Sequence, residues 1–186
     1  MTEKPLRADA ARNRVRVLDA ARAAFAEEGV AVPLDEIARR AGVGAGTVYR
    51  HFPTKEALFE AVILDRLRHL VDEAVELRGA EDAGAALFQF LHWMLAGSTS
   101  TKDLLEALGG ANVDTTGLIA TAKRDLHRAG GELLARAQRA GAVRDDIGPT
   151  ELMTLITGAS VALRQQPPDP ALREKVFAVL RDGLRP

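Results

Sequence analysis

The sequence contains no cysteine in its 186 residues. The chain therefore has no disulfide framework, no thiol nucleophile and no thiolate metal ligand, which is compatible with a reducing compartment. No stretch approaches the roughly 18 continuous apolar residues of a membrane-spanning helix. The first seven residues, MTEKPLR, contain no apolar segment of the kind found in signal peptides. We therefore expect a cytoplasmic protein.

Local catalytic motifs are also missing. The four histidines, at positions 51, 69, 92 and 127, are not paired four residues apart as a helical metal site requires. The sequence has no HExxH, GxSxG, GxGxxG or phosphate-loop motif. We therefore predict no catalytic residue, no metal, no cofactor and no enzyme activity. An all-α enzyme whose site assembles only in space is the weaker alternative.

No segment shows the two-residue alternation of a β-strand, whereas three- and four-residue apolar spacings recur along the whole chain. This pattern predicts an all-α protein of about nine helices, preceded by a flexible arm at residues 1–11. The adjacent glycines 130 and 131 fall inside the seventh predicted helix, where they indicate a bend or a close packing contact. The predicted ranges are 12–28, 34–41, 44–52, 55–78, 83–96, 100–108, a helix capped by residues 114–116 that runs to about 140, 149–164, and a last helix from 170.

A helix-turn-helix pattern stands out between residues 34 and 52. Four apolar residues lie at i, i+3, i+4 and i+7 on the first helix, and Gly42 follows where a left-handed residue ends a helix. The next helix is anchored inward by Val48 and Phe52, four residues apart. The apolar residues of the first helix are Leu34, Ile37, Ala38 and Ala41.

This arrangement leaves the other side of the second helix available to a partner. Thr47 and Arg50 are three residues apart, so they project side by side, and an arginine can bond a guanine edge with two hydrogen bonds. Flanking side chains can bond phosphate oxygens. The predicted DNA-binding residues are Gly44, Ala45, Gly46, Thr47, Tyr49, Arg50, His51 and Lys55. A packing unit or a protein-docking module is the alternative.

Charge is divided unevenly along the chain. Residues 1–55 hold ten Lys and Arg against seven Asp and Glu, a balance of +3, whereas the rest of the chain carries −4. A basic end on an acidic body suits phosphate binding at one end only.

One known family shares these residues. The shared residues are Ala20-Ala21, Phe25, Gly29, Ile37-Ala38, Ala41-Gly42-Val43, Gly46-Thr47-Val48-Tyr49, His51-Phe52 and Lys55-Glu56-Ala57-Leu58. On them, the segment from about Arg14 to Phe59 resembles the DNA-binding domain of the TetR family of transcriptional regulators. That resemblance implies a dimeric all-α protein with a DNA-binding domain at 1–54 and a ligand-binding and dimerisation domain at 55–186.

The chain departs from the family pattern at three positions. Gly44 stands where the family usually has Ser or Thr, Ala45 where it often has Lys, and Pro33 where it often has Thr or Ser. These changes remove side chains that could bond phosphate near the recognition helix. We therefore expect weaker contacts to the DNA backbone there.

Two further sites are predicted in the body. An apolar ligand pocket with a few polar groups is predicted on the fifth and eighth helices, although an aromatic stripe at helical spacing is more often core. Its residues are Phe88, His92, Trp93, Met94, Met153 and Ile156. A two-fold dimer interface is predicted on the last two helices, although these residues could instead cover the body's own core. Its residues are Gly158, Ala159, Ala162, Val176 and Leu180.

The sequence therefore predicts a sequence-specific DNA-binding regulator. The resemblance implies a repressor that binds a near-palindromic operator as a homodimer and responds to a small molecule of unknown identity.

Overall fold

The computed structural model describes residues 3–96, 117–167 and 169–186. In these residues the chain forms eight α-helices, one short 3-10 helix and no strand, which confirms the all-α prediction. The sixth predicted helix, 100–108, and the predicted cap at 114–116 lie outside the described residues. The helices are α1 Glu3–Glu28, α2 Leu34–Ala41, α3 Ala45–His51, α4 Lys55–Leu77, α5 Ala83–Ala96, α6 Leu118–Arg139, α7 Pro149–Arg164 and α8 Pro170–Gly183.

The described residues divide into two compact units, one ending at Asp65 and one beginning at Arg66. The predicted domain boundary between residues 54 and 55 stays a prediction. None of the described helices is both long and apolar enough to cross a lipid bilayer.

The prediction of a flexible arm at residues 1–11 is wrong, because α1 begins at Glu3 rather than near Arg12. Pro5 lies in the first turn of α1, where its missing N–H would have no partner within the helix anyway. The residues that follow include several strong helix formers, alanine and arginine among them. Helix propensity therefore extends α1 beyond the apolar stripe on which the prediction relied.

The first unit is built around the apolar stripe of α1. Phe25 packs against Phe59 of α4, with ring centroids 6.0 Å apart. Arg22 on α1 bonds Asp65 on α4, with Nη2 2.7 Å from Oδ2. The four apolar residues of α2 predicted to share one face are all buried. The other buried side chains of this unit include Val17, Leu18, Ala21, Ala24, Leu58, Val62 and Ile63.

The core of the second unit lies between α5, α6 and α7. Glycines 130 and 131 lie within the continuous helix α6 and permit close packing, as one of the two predicted explanations requires. A Cβ added to Gly130 would lie 3.1 Å from Cε1 of Phe90 on α5, and one added to Gly131 would lie 3.0 Å from Cγ of Pro149 on α7. The buried side chains include Leu87, Phe90, Leu91, Leu95, Leu126, Leu133, Leu134, Leu152 and Ile156.

The last helix, α8, differs from the others. Asp169 caps its start, with Oδ1 accepting hydrogen bonds from the N–H groups of Ala171 and Leu172 at 2.8 and 3.2 Å. No residue of the helix is buried. The side chains of Leu172, Val176, Phe177 and Leu180 are each half-buried.

Candidate nucleic-acid interface

The turn between α2 and α3 has the geometry that the sequence predicts. Gly42 adopts φ 62° and ψ 39°, the left-handed conformation that favours glycine. Its N–H donates to the Arg39 carbonyl at 3.1 Å, and the N–H of Val43 donates to the Ala38 carbonyl at 3.1 Å. These bonds satisfy carbonyl groups at the end of α2 and turn the chain into α3.

Helix α3 is short and is anchored from one side. Its Val48 is fully buried, and Phe52, the residue after its end, is also buried. Gly44 lies at the N-cap with an extended backbone and provides no side chain for the cap. Its carbonyl accepts the N–H groups of Thr47 and Val48 at 2.8 and 3.4 Å. The helix therefore begins one residue later than predicted, with the predicted inward anchors.

The predicted DNA-binding residues lie on the opposite side of α3 and at the start of α4. Tyr49 is 46% exposed. Gly44, Ala45, Gly46 and Arg50 are also exposed, whereas Thr47, His51 and Lys55 are half-buried. The structure thus brings all eight residues together on one continuous stretch, and their contacts to DNA stay a prediction.

Lys55 is the first residue of α4, which a side chain caps. The hydroxyl of Thr54 accepts the N–H of Ala57 at 3.1 Å, which caps the helix. Burial lowers the pKa of Lys55, while the charge of Glu56 acts in the opposite direction. The pKa of Glu56 is lowered by its own backbone N–H and then by Thr54.

The arginines of α2 are neutralised by carboxylates. Glu36 accepts from Arg39 at 2.6 Å and from Arg40 at 2.9 Å. Arg40 also pairs with Glu27 at 2.9 Å and with Glu28. Hydrogen bonds from Arg39 first and Arg40 second lower the pKa of Glu36 to about 2. The charges of α2 therefore tie this helix to the end of α1 and to itself.

The cations nearest α3 have a different environment. In the part of the chain that the structure describes, no carboxylate lies within ion-pairing distance of Arg50, His51 or Lys55. Arg50 therefore carries a positive charge that no described carboxylate pairs with, unlike Arg40. An anionic partner would therefore be attracted to the exposed side of α3.

Two arginines that the motif did not identify also contact this region. Arg16 on α1 donates from Nη2 to the carbonyl of Gly42 at 3.2 Å. The guanidinium carbon of Arg14 lies 5.6 Å from the centroid of the Phe52 ring. Helical periodicity gave no signal for either residue, because it identifies the apolar face of α1 and not the partners of its polar side chains.

The predicted pocket residues of the second unit differ in burial. Phe88, Trp93, Met94 and Met153 are half-buried, and Ile156 is buried. His92, also half-buried, lies against α8. Its Nε2 is 3.2 Å from Oε1 of Glu174, and its ring meets that of Phe177 edge-on at 5.1 Å. Their role in ligand binding stays a prediction.

A depression of about 640 Å³ lies elsewhere in this unit, and none of the six predicted pocket residues lines it. Arg144 donates to both carboxylate oxygens of Asp146 at 2.5 and 2.6 Å. Its backbone N–H donates to the carbonyl of Leu184 at 2.9 Å. This bond joins the residues after α6 to those after α8. The depression is lined by Gln138, Gly141, Val143, Arg144, Asp145, Asp146, Arg185 and Pro186.

The predicted interface residues lie on α7 and α8 with varied exposure. Gly158 and Ala162 are exposed, and Ala159, Val176 and Leu180 are half-buried. The interface stays a prediction, which did not include two exposed apolar side chains of these helices, Leu155 (50% exposed) and Val179 (73% exposed). The sequence could have indicated Val179, since it lies three residues after Val176 on the same helix.

Comparison with known families divides the chain into two matched segments. The family described as "Bacterial regulatory proteins, tetR family" matches residues 17–62. The family described as "Transcriptional regulator SbtR-like, C-terminal domain" matches residues 82–186. The first match contains the whole helix-turn-helix.

Individual proteins are similar over different lengths. The TetR transcription regulatory protein from Mycobacterium vanbaalenii is 48% identical, with 98% of this chain and 100% of that chain covered and a TM-score of 0.79. The transcriptional regulator SCO0520 from Streptomyces coelicolor is 32% identical, with 93% and 98% covered and a TM-score of 0.79. The HTH-type transcriptional regulator SrpR of Pseudomonas putida is 36% identical over 117 residues, which span 60% of this chain and 53% of that protein. The matched region thus spans about half the length of this curated relative.

Proposed function

The chain belongs to the TetR family of bacterial transcriptional regulators, and we propose that it is a repressor that binds a near-palindromic operator as a homodimer. Family members bind DNA operators, typically as dimers, and respond to small-molecule effectors. The domains proposed for these roles are residues 1–54 for DNA binding and 55–186 for effector binding and dimerisation.

One observation carries this proposal: α3 is anchored by Val48 and presents Thr47 and Arg50 on its outer face. A helix of this length fits the major groove, where arginine and threonine can contact base edges. The positive charges of Arg50 and Lys55 and the ring nitrogens of His51 would add contacts to the phosphate backbone.

A selection experiment tests the proposal directly. The full chain is used to select duplexes from a random-sequence pool, and the selected duplex is compared with a scrambled one in a mobility-shift assay over a range of salt concentrations. We expect a near-palindromic sequence, tighter binding to it than to the scrambled duplex, and affinity that falls steeply with salt. A protein-docking module, the alternative function, would select no sequence and bind no duplex in a salt-dependent way.

Dimerisation is supported by the apolar surface of α7 and α8. Leu155 and Val179 are large apolar side chains that the chain itself leaves half or more exposed. Burying this surface against a second copy would create a two-fold interface. Two recognition helices about one turn of DNA apart, roughly 34 Å, would then read two half-sites.

Effector control is proposed as a shift between two conformations of the dimer. An effector weakens DNA binding only by binding more tightly to the conformation whose recognition helices are wrongly spaced, and a coupling of about 1 to 3 kcal/mol is typical. The predicted pocket residues on α5 and α7 are the proposed contacts. Such a regulator acts where its DNA is, so we propose a cytoplasmic location.

A further inference from the structure

The turn that leads into the recognition helix is held from α1 by Arg16. Nη2 of Arg16 donates to the carbonyl of Gly42 at 3.2 Å. A Cβ added to Gly42 would lie 2.6 Å from the same Nη2, so the guanidinium fills the space beside this glycine. In the described part of the chain, no carboxylate forms an ion pair with Arg16, and its guanidinium donates a hydrogen bond to the Gly42 carbonyl.

The other end of the recognition helix is contacted by a second arginine of α1. Arg14 places its guanidinium 5.6 Å from the centroid of Phe52, the residue that ends α3. Phe52 is buried, so this cation–π contact bears on a side chain that is fixed in the core. Arg16 thus contacts the turn before α3, and Arg14 contacts the residue that ends α3.

We infer that Arg14 and Arg16 are positioning residues, which fix the orientation of the recognition helix by holding the turn before it and the residue that ends it against α1. The inference rests on the proposed function. It assigns to the two arginines a part in sequence discrimination without a contact to any base.

The need for such positioning follows from the geometry of α3. The helix has seven residues, its N-cap is a glycine without a side chain, and its buried anchor is Val48. A short helix whose buried side chains are Val48 and, at its end, Phe52 can still tilt at its start, where no side chain caps it. Bidentate contact with a base edge depends on direction, whereas attraction to phosphates depends mainly on charge. A recognition helix that is no longer held in one orientation should therefore lose more affinity for its specific DNA sequence than for DNA of any sequence.

The test compares Arg16→Met with Arg12→Met in the full chain. Both variants remove one positive charge from α1, but Arg12 pairs with Asp9 on the same helix. Binding is measured on a duplex selected by the wild-type chain and on a scrambled duplex. For Arg16→Met we expect the affinity for the selected duplex, divided by the affinity for the scrambled duplex, to fall by at least about tenfold. This is the effect expected for loss of one bidentate contact. Arg12→Met should leave that ratio unchanged, and Arg14→Met should lower it by less than Arg16→Met does.

An NMR measurement tests the inference without DNA. Arg16→Met should shift the backbone amide resonances of residues 42–52, while the thermal midpoint and the amides of α5 to α8 stay as in the wild type. The positioning role is overturned if these resonances do not move. It is also overturned if specific and general affinity fall together and the salt slope drops by about one ion per recognition helix, which marks a phosphate contact. Failure of the wild type to select any duplex would instead contradict the proposed function, and the NMR measurement would still decide the inference.

Discussion

Helices α3 and α8, of seven and 14 residues, have opposite surfaces. Helix α3 has a fully buried Val48 and exposes Gly46, Tyr49 and Arg50, a cation that no described carboxylate pairs with. Helix α8 buries no residue and leaves Val179 73% exposed. The first surface suits a polyanion, which is bound by charge and hydrogen bonds, and the second suits an apolar partner, which is bound by removal of surface from water.

The comparison teaches that an amphipathic pattern does not show which face of a helix its own chain covers. In α3 the apolar positions are covered and the polar ones stay free. In α8 the apolar positions are only half covered, so part of the stripe that looks like core is available to a second copy. Substitutions that disrupt one surface at a time should therefore affect different steps of the proposed function, dimerisation for α8 and DNA binding for α3.

The largest effect is expected for Val179→Glu. If α8 lies in a dimer interface, this change buries an unpaired charge in each protomer, which costs about 3 to 5 kcal/mol and raises the dissociation constant of the dimer at least about a hundredfold. Sedimentation velocity at micromolar concentration should show monomers, and binding to the selected duplex should fall. Ala171→Glu, at the exposed first turn of the same helix, is the control and should remain dimeric. A dimer of Val179→Glu as stable as the wild type would place the interface elsewhere.

The next effect is expected on the α3 surface, where Arg50→Ala and Lys55→Ala should fail differently. Loss of a bidentate base contact should cost about 1 to 3 kcal/mol and relax selection at one base pair. Loss of a phosphate contact should weaken binding to every duplex and lower the salt slope by about one. Both variants should still dimerise, which separates them from Val179→Glu. Equal losses on selected and scrambled duplexes for Arg50→Ala would assign this arginine to a phosphate.

A smaller effect, a gain in DNA affinity, is expected from Gly44→Ser combined with Ala45→Lys. Gly44 already has the extended backbone of an N-cap, and a Cβ added there meets nothing within 4 Å. Serine improves the cap by only a few tenths of a kcal/mol, so the thermal midpoint should barely change. Binding to selected and scrambled duplexes should tighten alike, and the salt slope should steepen by about one ion per recognition helix. No tightening at low salt would mean that this end of α3 faces away from the DNA backbone.

The smallest effect is expected from Glu36→Gln, which tests the ionic ties that the first unit uses internally. The pKa of the Glu36 carboxyl falls from 4.5 to about 2 on folding, chiefly through the hydrogen bond from Arg39. Because the folded pKa is the lower one, this stabilisation is complete above about pH 4.5 and is lost as the pH falls toward 2. Urea unfolding should show that Glu36→Gln lowers stability near pH 7 and has little effect near pH 2. A difference that does not shrink over this range would show that the carboxylate charge is not responsible.

The helix-turn-helix was predictable almost to the residue because its signals are local. Gly42 adopts the left-handed backbone conformation because glycine has no Cβ to clash there. The spacing of Ile37 and Ala41 on α2, and the position of Val48 on α3, require a buried face on each helix. The start of α1 was missed because a helix can be extended by propensity where no apolar stripe requires it.

The rest of the candidate sites was less predictable. On α5, spacing alone does not distinguish side chains that line a pocket from those that pack in a core, and it did not indicate that His92 would meet Glu174 and Phe177. The contact of Arg16 with Gly42 joins residues 26 apart in the chain. Such a contact depends on how helices cross, which no local spacing encodes.

The positions of Tyr49 and Trp93 have an optical consequence. The chain has one tyrosine and one tryptophan, with Tyr49 on the recognition helix in the first unit and Trp93 on α5 in the second. Each unit therefore has its own chromophore of a distinct kind. Ultraviolet resonance Raman bands of the phenol ring can report on the recognition helix while tryptophan fluorescence reports on the second unit, so both can be followed in the unlabelled chain.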